Sequence, residues 1–191
     1  MRAVLVAMLA CMVMACSEEP RWHGVDVSGA NYGLDWQIVD HRGQPRRLAD
    51  FRGKVVTLFF GYTHCPDVCP TNLATMKAVR GLLGAEAARL QVIFVTIDPE
   101  RDTQALLSAY VPAFDPDFIG GYNTPADTAR MAREFKVYVN KSSPEGGGDY
   151  SVDHSTGTYV YDPQGRLRLY LRHGMPAAEI AADVKRLLAG R

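Results

Sequence analysis

Two short runs dominate the pattern of apolar and polar positions along the chain. Val55 to Phe60 is continuously apolar or β-branched, and Leu90 to Ile97 is nearly so. Runs of this length and uniformity predict strands buried on both faces. Between them Leu73, Met76, Val79 and Leu83 recur at helical spacing, so a helix links the two strands. Further along, 103–111 and 126–135 read as helices and 137–139 as a short strand. Thr158 to Tyr161 and Leu167 to Leu171 read as strands joined by the turn Asp162-Pro163-Gln164-Gly165, and 177–188 as a closing helix. Residues 32–40, followed by His41-Arg42-Gly43-Gln44-Pro45, predict a hairpin arm ahead of the first buried strand. Residues 141–150 contain Pro144 and the run Gly146-Gly147-Gly148, and so predict a flexible loop.

A βαβ unit followed by ββα gives an α/β fold. The expected architecture is a thioredoxin-like sandwich: a central mixed β-sheet flanked by helices, with an N-terminal β-hairpin extension. The strands at 55–60 and 90–97 would lie parallel, joined by a right-handed crossover. Ligands on such sheets bind beyond the carboxyl ends of the strands. Cys65 and Cys69 lie just past one such end and Asp98 just past the other. The strand at 158–161 would run antiparallel, which brings His154, shortly ahead of its start, to the same rim.

The N-terminus has a different character. Arg2 precedes an unbroken apolar run, Ala3 to Ala15, too short to span a bilayer comfortably but suited to a signal peptide. It ends Val13-Met14-Ala15-Cys16 and then turns polar, a pattern similar to the lipobox of bacterial lipoproteins, in which Cys16 would carry the lipid. The expected organisation is therefore a leader at 1–15, a membrane-proximal tether at 16–31 and one domain at 32–191. That places the domain in a bacterial envelope, on the periplasmic side of a membrane that holds it by the lipid anchor. Cys11 falls in the leader, so Cys65 and Cys69 are the thiols left to the folded part. Outside the cytoplasm such a pair drifts to a disulfide unless it is reduced or metal-bound.

Composition narrows the partners. Lys and Arg balance Asp and Glu at 21 each, so no basic excess points to nucleic acid.

The segment Gly61-Tyr62-Thr63-His64-Cys65-Pro66-Asp67-Val68-Cys69-Pro70 carries the candidate chemistry. A helix starting at Pro70 would put the proline where its missing N–H costs nothing, with Cys69 at the N-cap, where the helix dipole favours thiolate. Two thiolates and the imidazole of His154 make a soft three-coordinate site that suits Cu(I). Cu(II) could use the same ligands with an added oxygen donor. Structural zinc takes four protein ligands, and a fourth is not evident. Asp98 is a candidate for an oxygen donor or a hydrogen bond to a ligand; otherwise it ends a strand in an Asp-Pro turn. His64 is placed to tune the site rather than to bind. Met76 and Met131 read as core.

These motifs, together with Leu48 to Val56, Asp98-Pro99-Glu100-Arg101-Asp102-Thr103 and Val152-Asp153-His154-Ser155, resemble the Sco/SenC family of copper-delivery proteins in cytochrome c oxidase assembly. The resemblance implies copper ligands at Cys65, Cys69 and His154, and delivery to the CuA centre of oxidase subunit II. Gln104, where the family often has proline, and Thr156-Gly157 depart from the pattern without touching a ligand. Partners of the exchange would be other copper chaperones or thiol–disulfide reductases. Three alternatives stay open. One is a thiol–disulfide oxidoreductase using Cys65 and Cys69 as a redox disulfide, although the Cys-x-x-x-Cys spacing differs from the usual Cys-x-x-Cys. The others are a redox or copper sensor and a peroxiredoxin-like peroxidase.

Overall fold

A computed structural model describes residues 21–143 and 150–190. The leader, Cys16 and the glycine run 146–148 lie outside the described residues. Among those described, no helix is long and apolar enough to cross a membrane.

The fold grows from the two apolar runs. They form β4 (Val55–Gly61) and β5 (Leu90–Thr96), seven residues each and buried throughout, paired in parallel from Val55 beside Leu90 to Gly61 beside Thr96. The linking helix α1 (Val68–Leu83) buries Leu73, Met76, Val79 and Leu83, the residues whose spacing predicts it. Successive side chains of a strand point to opposite faces. Phe59 accordingly meets Phe94, which meets Tyr110 of α2 (Gln104–Tyr110), while Phe60 meets Phe135 and Tyr159. Burying two aromatic rings on each side of one strand stabilises both layers at about 25 cal/mol per Å² of apolar area removed from water.

A third parallel strand, β6 (Ile119–Tyr122), pairs with β5. The pattern of apolar residues misses it because Gly120 and Gly121 occupy its centre. A Cβ on Gly120 would lie 3.0 Å from Val111, and one on Gly121 2.5 Å from Ile38, so close approach of the neighbouring layers requires both glycines. Where an N-terminal hairpin extension is expected, β2 (Gln37–Asp40) pairs antiparallel with β3 (Pro45–Arg47) and with β6, so both strands belong to the edge of the main sheet. On the other side β9 (Thr158–Tyr161) pairs antiparallel with β4, and β10 (Leu167–Leu171) with β9. Two turns use one device. Asp40 accepts from the N–H groups of Arg42 and Gln44 and from Arg46 Nε; Asp162 does the same for Gln164, Arg166 and Arg166 Nε. The closing helix α4 (Ala177–Leu188) packs beside α1. The result is a mixed eight-stranded sheet flanked by helices, a thioredoxin-like α/β sandwich.

Two departures matter for the site. Residues 21–31, expected as tether, lie along the domain: β1 (Val25–Asp26) pairs with β10, and the buried carboxylate of Asp183 accepts from the N–H groups of His23 and Gly24. Their polar composition hides this, because the pairing is made by backbone. The helix α3 (Pro125–Glu134), capped by Thr124, is followed by β7 (Val139–Ser142). This strand begins at the end of the short strand expected at 137–139 and runs two residues into the expected loop 141–150. It pairs antiparallel with β8 (Ser151–His154), for which the sequence gives no strand, in a separate two-stranded sheet.

Candidate metal centre

The cysteine loop follows the carboxyl end of β4. The helix α1 begins at Val68, with Asp67 at the N-cap, so Cys69 lies inside the first turn rather than at the cap. This corrects the start expected at Pro70. The first-turn N–H groups have no intrahelical partner, so proline is tolerated there without loss. The first helical bond belongs to the next residue, Thr71 N–H to Asp67 O at 3.1 Å.

Cys69 is fully buried and Cys65 half-buried, and both are free thiols. The N–H of Cys69 points at Cys65 Sγ, 3.4 Å away. The Cys69 thiol, hydrogen-bonded to Cys65, pulls the Cys65 pKa down to about 5 against the cost of its burial; its own pKa is pushed far up by the same contact and by burial. The contact thus favours thiolate at Cys65 and thiol at Cys69.

His154 ends β8 and closes the site from the other side. Its Nδ1 lies 2.8 Å from the carbonyl oxygen of Ser155. A carbonyl only accepts, so Nδ1 is the donor of that bond and Nε2 is the nitrogen turned towards the cysteines. That nitrogen is 3.9 Å from Cys69 Sγ. Phe59 and Tyr62 hold the ring edge-on, each with its centroid 6.0 Å from that of the imidazole. One donor atom from each of Cys65, Cys69 and His154 falls within 4.8 Å of the others. A point therefore exists within about 2.8 Å of all three donors, and closing to bonds of about 2.0–2.3 Å asks for shifts of roughly half an ångström.

Asp98 stands apart from this trio. It is fully buried, but its oxygens accept from Arg101 Nε and Tyr150 OH, each at 2.5 Å, rather than from a candidate ligand. The carboxylate that braces the cysteine loop is Asp102. Its Oδ2 accepts from Thr63 N and from Thr96 Oγ1 at 2.6 Å, and its Oδ1 from Thr63 Oγ1 at 2.6 Å. His64 lies beside the same group, its Nδ1 3.1 Å from Thr63 Oγ1 and 3.8 Å from Asp102 Oδ1. Spacing gave no signal for Asp102, whose partner Thr63 is 39 residues away. Met76 and Met131 are core residues.

Known proteins share this arrangement of sequence and fold. The profile of the SCO1/SenC family matches residues 26–189. The mouse protein SCO2 homolog, mitochondrial, is 38% identical over 157 residues, which is 81% of this chain and 62% of the mouse protein. The chain thus spans less than two thirds of that relative's length. The structure of Bradyrhizobium japonicum ScoI with copper bound superposes with a TM-score of 0.74 at 38% identity, covering 83% of this chain and 99% of that one. Apo Sco1 from Thermus thermophilus does so with a TM-score of 0.76 at 37% identity, covering 87% and 97%. A profile match running from the first strand to the last helix, over a fold shared with these structures, has one reading: the chain belongs to the SCO1/SenC family.

Proposed function

We propose that this protein is a copper carrier that holds its cargo between Cys65, Cys69 and His154 and delivers it to the CuA centre of cytochrome c oxidase subunit II. One observation carries the reading. Two sulfurs and an imidazole nitrogen from segments 85 residues apart meet within 4.8 Å. Thiolates select Cu(I), and three donors saturate it without the fourth that structural zinc takes. Cu(II) would fit with an added oxygen. Copper bound by a related ScoI supports the same cargo. A three-donor site at the rim can pass the ion to an incoming thiolate by ligand exchange. Oxidation of both sulfurs to a disulfide, with two electrons passing to a disulfide partner, removes two ligands at once and frees the ion. Lipidation at Cys16 would keep the carrier on the periplasmic face of the membrane, beside the oxidase it loads, with other copper chaperones and thiol–disulfide reductases as its suppliers.

A second reading has its own support. A Cys65 pKa near 5 with the Cys69 thiol behind it suits thiol–disulfide exchange on oxidase or other envelope cysteines. Anaerobic Cu(I) titration of the reduced full chain separates the two. One tight equivalent, weakened in His154→Ala, supports the carrier. Weak binding unchanged by that substitution, with rapid reduction of a disulfide substrate, rejects it in favour of the reductase.

A further inference from the structure

The hairpin β7–β8 carries His154, yet among the described residues it shares no strand pairing with the sheet that carries the cysteine loop. Besides the packing of His154 on Phe59 and Tyr62 and the burial of Val152, polar contacts hold it at the root of β8. The hydroxyl of Tyr150 donates to Asp98 Oδ1, and its backbone carbonyl accepts from Arg101 Nη1 at 2.8 Å. The Arg101 guanidinium lies 3.6 Å from the centroid of the Tyr150 ring while its Nε donates to Asp98 Oδ2. On the other strand of the hairpin, Lys141 reaches Glu100 at 2.7 Å and stands 3.6 Å from Asp98 Oδ1. Asp98, Glu100 and Arg101 all sit in the loop after β5, so the contacts of Tyr150 and Lys141 tie the hairpin to the main sheet, while the Arg101–Asp98 pair braces the loop itself.

We infer that Asp98, Arg101 and Tyr150 form a clasp that sets His154 over the cysteine pair, which makes Arg101 and Tyr150 positioning residues for metal binding. The inference rests on the three-ligand reading above. None of the clasp residues needs to touch the ion. Tyr150 is four residues from His154, a reach of about 13 Å along a strand, so the clasp works by fixing the root of the strand. A donor site tolerates displacement of only about 0.5 Å before it loses strength. A hairpin released at its root presents its imidazole at a lower effective concentration, and the third bond weakens accordingly. The network suits this task because its central carboxylate is fully buried with both oxygens satisfied. Breaking one partner of such a group is far costlier than breaking an exposed ion pair. The Val152 N–H to Tyr62 hydroxyl contact at 3.4 Å is too long to replace it.

The test is a set of double-substitution cycles on the full chain. Cu(I) affinity is measured by competition with a chromophoric chelator in wild type, Tyr150→Phe, Arg101→Ala and His154→Ala, and in each clasp substitution combined with His154→Ala. The clasp predicts that Tyr150→Phe and Arg101→Ala each weaken copper by about tenfold when His154 is present, and by little when it is absent. In the Cu(II) form each should also diminish the nitrogen hyperfine signal of the imidazole. Equal losses with and without His154, or no loss in wild type, overturn the clasp while leaving the ligand set standing. Copper affinity unchanged in His154→Ala overturns the ligand set itself and the clasp with it. Should Arg101→Ala fail to fold, Tyr150→Phe, which deletes one hydroxyl, still decides.

Discussion

A Cβ on Gly61 would stand 2.8 Å from the sulfur of Cys69. The same point lies 2.7 Å from the Phe94 ring and 2.9 Å from the Phe59 ring, so neither side offers room. Gly61 ends β4 in ordinary extended backbone; it is glycine because the sulfur of Cys69 lies against it. Gly61→Ala should displace that sulfur and overpack the aromatic layer at a cost of about 1–3 kcal/mol. Urea unfolding should register the loss, and Cu(I) titration should show weaker binding than in wild type.

The carboxylate of Asp102 makes three hydrogen bonds to Thr63 and Thr96, two of them at 2.6 Å. Asp102→Ala takes the acceptor from the hydroxyl proton of the fully buried Thr96, at about 1–3 kcal/mol for a buried donor left unpaired, and frees the part-buried Thr63 N–H. The expected outcome is a less stable domain whose Cys65–Cys69 loop exchanges its amide hydrogens faster, as measured by mass spectrometry.

Cys65 should be reactive in acid. With its pKa at about 5 against an ordinary thiol value of 9.0, alkylation by iodoacetamide should rise through pH 5 and level off by neutrality, while Cys69 stays protected. Between about 5 and 9 the folded state holds fewer protons on this group than the unfolded chain does. The thiolate therefore adds stability as pH rises through that window, and the contribution disappears as pH falls through 5. Replacing Cys69 by Ala, which removes the hydrogen bond that depresses the Cys65 pKa, should shift the alkylation midpoint upward.

Asp183 holds the first described residues through three contacts to the N–H groups of His23 and Gly24. Asp183→Ala should leave those donors unpaired and release the segment ahead of β1. Limited proteolysis should then cut near His23 sooner than in wild type, with the family-matched region 26–189 remaining intact.

What a reader could take from the chain depended on how each residue does its work. The strands β4 and β5 were legible because burial on both faces leaves an apolar run, and α1 because it buries one stripe. Cys65, Cys69 and His154 were legible because thiols and imidazoles are few and the topology carries them to one rim. Hidden features are those whose partners are distant or are backbone. The helix start was misplaced by two residues because proline is tolerated anywhere in a first turn. The strands β7 and β8 pair with each other and expose half of their residues, with Val152 the one buried, so their apolar signature is weak. Asp102 and Arg101 act through partners 39 and 49 residues away, a relation that neither spacing nor composition encodes.

The imidazole and the two sulfurs hang from separate sheets, two bodies with no ladder bond between them among the described residues. An ion gripped from both bodies would act as a rivet across a seam. It can be fitted or withdrawn by parting that seam, a local opening far cheaper than unfolding, and the seven-residue strands beneath need not surrender a single rung.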